Sequence, residues 1–236
     1  MESDIKCLFE EGFVPAPGEA DAAFYLRVKK TKEKWLSPEK IHEFPIETTT
    51  PPFIFRSNKK LPFWVGGMTW ILTFDDGCKI PFIQLPKTLR RYTFTKEEEI
   101  LAHERVHALR VAFNEPIFEE ILAYQSSPSK FRRFFGPLCA TTKETSLVMG
   151  SFLVGIVPYC FWISPLVICT LLIRLFKRQR LLKRAKLALQ KRLKHPEIAI
   201  LLLSDPEILQ AANNQLDFLD QKEIRIRQIL LLDTSQ

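Results

Sequence analysis

The segment from Thr145 to Ile173 constrains this chain most, because none of its 29 residues carries a charge. A continuous helix of that length would be about 43 Å long, whereas the hydrocarbon core of a bilayer is about 30 Å thick. We therefore expect a membrane segment at 145–173. Pro158 and Pro165 lie near its middle, where a helix kinks or breaks. A single kinked span and a shallow hairpin that returns to the same side remain alternatives.

The residues that follow this segment hold the excess positive charge of the chain. The chain has 34 Lys and Arg against 27 Asp and Glu, and ten of the basic residues, with no acidic one, lie between Arg174 and Lys194. The rest is mildly acidic, which argues against a generally cationic protein, and we expect no nucleic-acid partner. We expect the basic helix to contact anionic lipid headgroups or to be the cytosolic stop of a membrane helix. The flanking charges predict a membrane location with the C-terminal part in the cytoplasm.

A β-hairpin is the clearest β signal. Two runs rich in β-branched and aromatic residues, within 68–85, flank the turn dipeptide Asp76-Gly77. Pro81 lies in the second run and cannot donate a ladder hydrogen bond, so we expect that arm to be an edge strand.

A helix follows the hairpin, with the sequence KEEEILAHERVHALRVAF at 96–113. Thr95 and Glu98 predict a capping box at its start. Because Pro116 disfavours helix at the residue before it, this helix should end near 113–114, and Pro116 should open a second helix.

The first of these helices carries two histidines four positions apart. His103 and His107 project from one helix face, where two imidazoles can hold a single Zn²⁺. Glu104, beside the first histidine, can reach a water on that metal. The spacing therefore predicts a zinc site whose bound water lies within reach of Glu104.

The second helix is expected to supply the third ligand. If the chain reverses at 113–114, an antiparallel pair of helices places Glu120 opposite His107 and Tyr124 opposite His103. Glu119 would be rotated by about 100° from Glu120. We expect Glu120 to be the ligand, and Glu119 is the alternative.

The motif HERVH and the Glu-Glu-Ile-Leu-Ala at 119–123 resemble the gluzincin class of zinc metallopeptidases. In that class a second helix supplies a Glu ligand, and the compact minigluzincins are nearest in size. The resemblance covers roughly residues 68–125. It implies hydrolysis of peptide or protein substrates by a zinc-activated water, with Glu104 as the general base and Tyr124, or more weakly Tyr92, stabilising the oxyanion. The edge strand at 80–85 would then pair with an extended substrate.

The predicted fold class is α+β, with a small zincin-like domain, made of the hairpin, the HExxH helix and the Glu helix, followed by a membrane segment and a helical tail. Asp205 and Pro206 predict a helix start within that tail. Two functions remain: a membrane-anchored zinc metallopeptidase, and a non-enzymatic membrane scaffold whose tail recruits partners and whose histidine motif is degenerate. The oligomeric state stays open. The predicted regions are the metallopeptidase domain at 1–140, the transmembrane or membrane-hairpin segment at 145–173, the basic juxtamembrane helix at 174–195 and the tail at 196–236.

Overall fold

The fold combines helices with one small sheet, as the predicted α+β class requires. The computed structural model describes residues 2–36, 52–61, 65–87, 96–113, 115–139, 141–157 and 159–234. The strands are β1 (Phe53–Arg56), β2 (Met68–Thr73) and β3 (Lys79–Leu85). The α-helices are α1 (Glu2–Glu10), α2 (Asp21–Leu36), α3 (Glu97–Leu109), α4 (Glu119–Tyr124), α5 (Lys130–Phe135), α6 (Thr142–Val154), α7 (Ile163–Leu189), α8 (Pro196–Leu202), α9 (Asp205–Ala212) and α10 (Ile224–Thr234).

The sheet has the order β1-β3-β2, in which β2 and β3 form the predicted antiparallel hairpin. Gly77 takes a positive φ of 78° in the connecting turn, a conformation that glycine adopts without strain. The prediction that the second arm is the edge strand is wrong, since β3 lies between the other two strands. Pro81 is tolerated there because pairing with β1 begins only at Phe82. Within the described residues, β1 and β2 are the two edge strands.

The two helices of the predicted site are both shorter than expected. The expected cap residue Thr95 lies outside the described residues, and Lys96 is the N-cap of α3. This helix ends at Leu109 rather than near residue 113. The second helix begins at Glu119 rather than at Pro116, so a longer connection than predicted separates the two.

The charge-free segment forms a pair of helices. α6 covers 13 residues and ends at Gly155, and α7 begins at Ile163. Pro165 lies in the first turn of α7, where its missing N–H needs no helical acceptor. α6 and α7 run antiparallel, because Ser164 Oγ donates a hydrogen bond to Ser151 O at 2.8 Å and Arg174 pairs with Glu144 at the other end of the two helices.

This division overturns the predicted membrane segment. α6 is only about 20 Å long, and the uncharged part of α7 ends before Arg174, where the basic residues begin. Among the described residues, no helix combines the length and the apolar character that crossing a bilayer requires. The structure therefore contradicts the membrane-spanning anchor, and with it the membrane location that rested on the anchor.

The basic stretch is the second half of α7 and packs against the protein. Its apolar positions Leu175, Leu182, Ala185 and Leu189 are buried, and the helix lies along α9. Phe176 and Leu187 are the exceptions and are exposed. The apolar face that an amphipathic helix would offer to a lipid surface is thus largely covered by the C-terminal helices.

The C-terminal tail belongs to the main hydrophobic core. Its helices pack against α7 and α4, and α10 also contacts α1 through Gln228, which donates to Ile5 O and Phe13 O. The main core therefore joins Val14, near the start of the chain, with α4, α7 and the tail, whereas the strand residues belong to separate clusters. Core residues contributed by α4, α7 and the tail include Phe118, Ile121, Leu122, Leu175, Leu182, Ile200, Ile208 and Ile229.

Candidate metal centre

The centre lies where α3 packs against α4, beneath the edge strand β2. His103 and His107 stand one turn apart on α3, and Glu120 comes from the first turn of α4. The chain reversal between the helices brings the three side chains together, in the register that the sequence predicts. Their donor atoms all lie within 4.8 Å of one another.

The two histidine Nε2 atoms and the carboxylate group of Glu120 form a triangle, in which a different carboxylate oxygen is nearest each nitrogen. The two histidine Nε2 atoms are 3.3 Å apart. His103 Nε2 is 3.4 Å from Glu120 Oε1, and His107 Nε2 is 3.4 Å from Glu120 Oε2. Tetrahedral zinc with bonds of about 2.0–2.1 Å sets its ligand atoms about 3.3–3.4 Å apart. The 3.3 Å between the two nitrogens matches this spacing, and a Glu120 oxygen lies within 4.8 Å of both. The three side chains therefore fit a zinc ion that keeps one position open.

The charges of the site favour a cation between the rings. Burial alone lowers the pKa of His107, but hydrogen bonds to Glu119 and Glu120 outweigh burial and raise it to about 10. Burial alone raises the pKa of Glu120, but hydrogen bonds from His103 and His107 outweigh it and lower the pKa to about 2. The carboxylates thus place a negative potential where the three donor atoms converge.

The two neighbouring glutamates of α4 contact different atoms of His107. Glu120 faces Nε2, whereas Glu119 Oε1 lies 2.8 Å from Nδ1 on the far side of the ring. A carboxylate on the second ring nitrogen fixes the tautomer and orientation of a metal-binding histidine. This geometry favours Glu120 as the ligand and gives Glu119 an orienting role.

Glu104 is buried beside the triad, with 7% of its surface exposed. Its Oε2 accepts a hydrogen bond of 2.7 Å from Thr69 Oγ1 of β2, and the same hydroxyl is 3.1 Å from Glu104 O. Gly67 permits this approach, since a Cβ there would lie 2.7 Å from Ile100 Cγ2 and 3.2 Å from Glu104 Cγ. The start of β2 therefore packs directly onto α3 and holds the carboxylate in one orientation.

Tyr124 lies against His103, with ring centroids 4.6 Å apart. Burial, and next the charge of Glu120, raise the pKa of its phenol, so the hydroxyl stays protonated and can donate. Arg132 hydrogen-bonds to Tyr124 and is itself 3.3 Å from Glu99 Oε1. Gly136 leaves room for the ring, since a Cβ there would meet Tyr124 Cδ1 at 2.3 Å.

A cleft of about 920 Å³ opens over these residues. β2 forms one wall with Met68 and Ile71, and α6 forms part of the other with Thr145 and Met149. The triad, Glu104 and Tyr124 all line it. The expected reacting groups thus share one space that is large enough for several residues of a peptide.

Sequence reasoning missed Thr69, Gly67 and Arg132. The pair Gly66-Gly67 just before the hairpin was an available signal of close backbone approach. No pattern in the sequence relates Thr69 to Glu104, which lies 35 residues away. Tyr92, the weaker expected oxyanion residue, lies outside the described residues.

Fold and site together define an α+β protein with a candidate two-histidine, one-carboxylate metal centre at the floor of a cleft. No protein-family model matches the chain, and no curated protein or solved structure matches it either.

Proposed function

We propose that this chain is a zinc-dependent hydrolase of peptide bonds, with His103, His107 and Glu120 as its metal ligands. The observation that carries the proposal is the triangle that the two histidine Nε2 atoms, 3.3 Å apart, form with the Glu120 carboxylate, one donor atom of each residue lying within 4.8 Å of the others. The buried carboxylate of Glu104 next to that triangle adds the group that hydrolysis needs. The resemblance of residues 68–125 to gluzincin metallopeptidases supports the same assignment.

The protein groups around the triangle have complementary roles. When bound, zinc supplies a charge that polarises the scissile carbonyl and makes an attacking water more acidic. Glu104 takes a proton from that water and passes it to the leaving amine, while Thr69 holds the carboxylate in place. Tyr124 donates its hydroxyl proton in a hydrogen bond to the developing oxyanion. Glu119 orients His107 through Nδ1.

The edge strand gives the substrate a place to align. β2 runs along the cleft, and among the described residues its outer edge pairs with no other strand. An extended peptide can add to such an edge through main-chain hydrogen bonds. The aligning strand of the proposal is therefore β2 rather than the arm at 80–85.

Substitution of Glu104 by Gln tests the proposal. Because Glu104 is a base and not a ligand, Glu104→Gln should retain zinc and lose at least about a hundredfold in the rate of peptide hydrolysis. Mass spectrometry of an unfolded, reduced protein substrate measures the cleavage, and zinc content is measured in parallel.

Glu98→Gln is the matched control, since Glu98 is an exposed carboxylate on the same helix, and it should behave as wild type. Full cleavage by the Glu104→Gln protein would remove Glu104 as the base.

A further inference from the structure

α6 exposes a row of large apolar side chains. Met149, Phe152 and Leu153 of α6, together with Ile156 two residues beyond its end, form what we call the apolar stripe, and each has more than half of its surface exposed. Soluble proteins rarely leave contiguous apolar surface uncovered unless it binds something. No charged residue interrupts the sequence around the stripe.

The stripe is continuous with the candidate cleft. Thr145, Ser146 and Met149 of α6 line the cleft. Steps of three or four residues keep to one helix face, so the same face continues from Met149 to Phe152 and Leu153. On the other side of α6, Ser151 is buried against Ser164 of α7, while Leu147 and Val154 are exposed.

The facing wall of the cleft has the same character. Val65, Met68 and Ile71 line it at and just before β2, and Ile71 is about half exposed. A chain that lies along β2 over the triad would therefore have apolar side chains on both sides. Beyond Met149 it would meet the stripe.

We propose that the apolar stripe is a docking surface for an uncharged, apolar stretch of the polypeptide whose peptide bond lies at the metal centre. This inference rests on the proposed hydrolase function and names its substrate class. The stripe shares Met149 with the cleft, so the occupant is a continuation of the chain bound in the cleft. Apolar contact made away from the reacting bond selects the substrate through binding.

Peptide binding to the zinc-loaded, full-length Glu104→Gln protein tests this inference without cleavage. The probes are fluorescein-labelled peptides of equal length and charge, which carry either Leu, Val and Phe or Ser, Asn and Gln in one half. Fluorescence anisotropy should show about tenfold tighter binding of the apolar peptide, as expected for the burial of one or two large apolar side chains. Phe152→Ser with Leu153→Ser should reduce that preference to less than about twofold.

The control is Leu26→Ser, since Leu26 is equally exposed at 53% but lies on α2, which does not line the cleft. This variant should keep the full preference. Substitutions at such exposed positions leave stability nearly unchanged, which zinc content and circular dichroism verify.

Three results would overturn the inference. The first is equal binding of both peptides by the parent protein, or a preference that survives the double substitution. The second is that the protein sediments with phosphatidylcholine vesicles, and that the double substitution abolishes this sedimentation but leaves the peptide preference unchanged. The third is that the protein self-associates, and that the double substitution abolishes self-association but leaves the peptide preference unchanged. Absence of zinc from the wild-type chain would instead remove the hydrolase function itself, so the two failures are distinguishable.

Discussion

At the scale of residues, the site depends on which atom of His107 meets which carboxylate. The helical register predicted that Glu120 would face His107, because spacing along two antiparallel helices is regular. The contact of Glu119 with Nδ1 could not be predicted, since it depends on a side-chain rotamer. The bond from Thr69 to Glu104 joins separate elements, and local pattern carries no information about it.

Substitution of each glutamate separates the two roles. Glu120→Gln should abolish stoichiometric zinc binding, because it removes a charged ligand. Glu119→Gln should weaken zinc affinity by about ten- to a hundredfold, the usual effect of losing a group that orients a ligand. Competition with a fluorescent chelator measures both affinities. The assignment is wrong if Glu119→Gln abolishes binding while Glu120→Gln leaves it intact.

At the scale of elements, α4 is held in place from the far end of the chain. It has six residues, and isolated helices of that length are unstable. Asp205 accepts hydrogen bonds from Ile117 N at 2.8 Å and Phe118 N at 3.3 Å. The sequence predicted Asp205 as the cap of its own helix, but Ser204 and Glu207 form a capping box there. Asp205 is thereby free to contact α4, which no local signal indicates.

Removal of this contact should loosen the metal centre. Asp205 is buried, with 3% exposed. Asp205→Ala removes the acceptor of the buried Phe118 N–H and of the part-buried Ile117 N–H, and should cost about 2 kcal/mol of unfolding free energy. Zinc affinity should fall as well, because α4 carries Glu120. Urea unfolding and chelator competition measure the two effects.

Asp217→Ala is the control, since Asp217 is an exposed residue of the same tail. Equal unfolding midpoints for the two variants would contradict the role given to Asp205.

At the scale of the whole molecule, the sequence correctly predicted the α+β fold class, but its prediction of a membrane segment at 145–173 is wrong. The α+β class followed from local signals such as the Asp76-Gly77 turn, and the structure confirms it. The membrane segment was inferred from the absence of charge over a window. A count of charges could not show that the segment divides into two helices, α6 and α7. It also could not show that the apolar residues of α7 pack against the tail.

The arrangement of the core decides how the site should be tested. Arg110, at the end of α3, is 1% exposed and donates through Nη1 to Leu201 O at 2.7 Å and Leu203 O at 2.9 Å. The tail thus binds the ends of both helices that form the metal centre. A fragment limited to residues 1–140 would lack these contacts, so zinc binding should be measured on the chain with its tail.

The zinc content of the full-length chain tests the central claim most directly. Purified protein is equilibrated with zinc, dialysed, and analysed by mass spectrometry for metal per chain. Wild type and His195→Ala should hold about one zinc ion, and His103→Ala close to none. His195 is a suitable control because it lies next to α8 and outside the cleft. Wild-type protein without zinc, or His103→Ala with an unchanged content, would contradict the account.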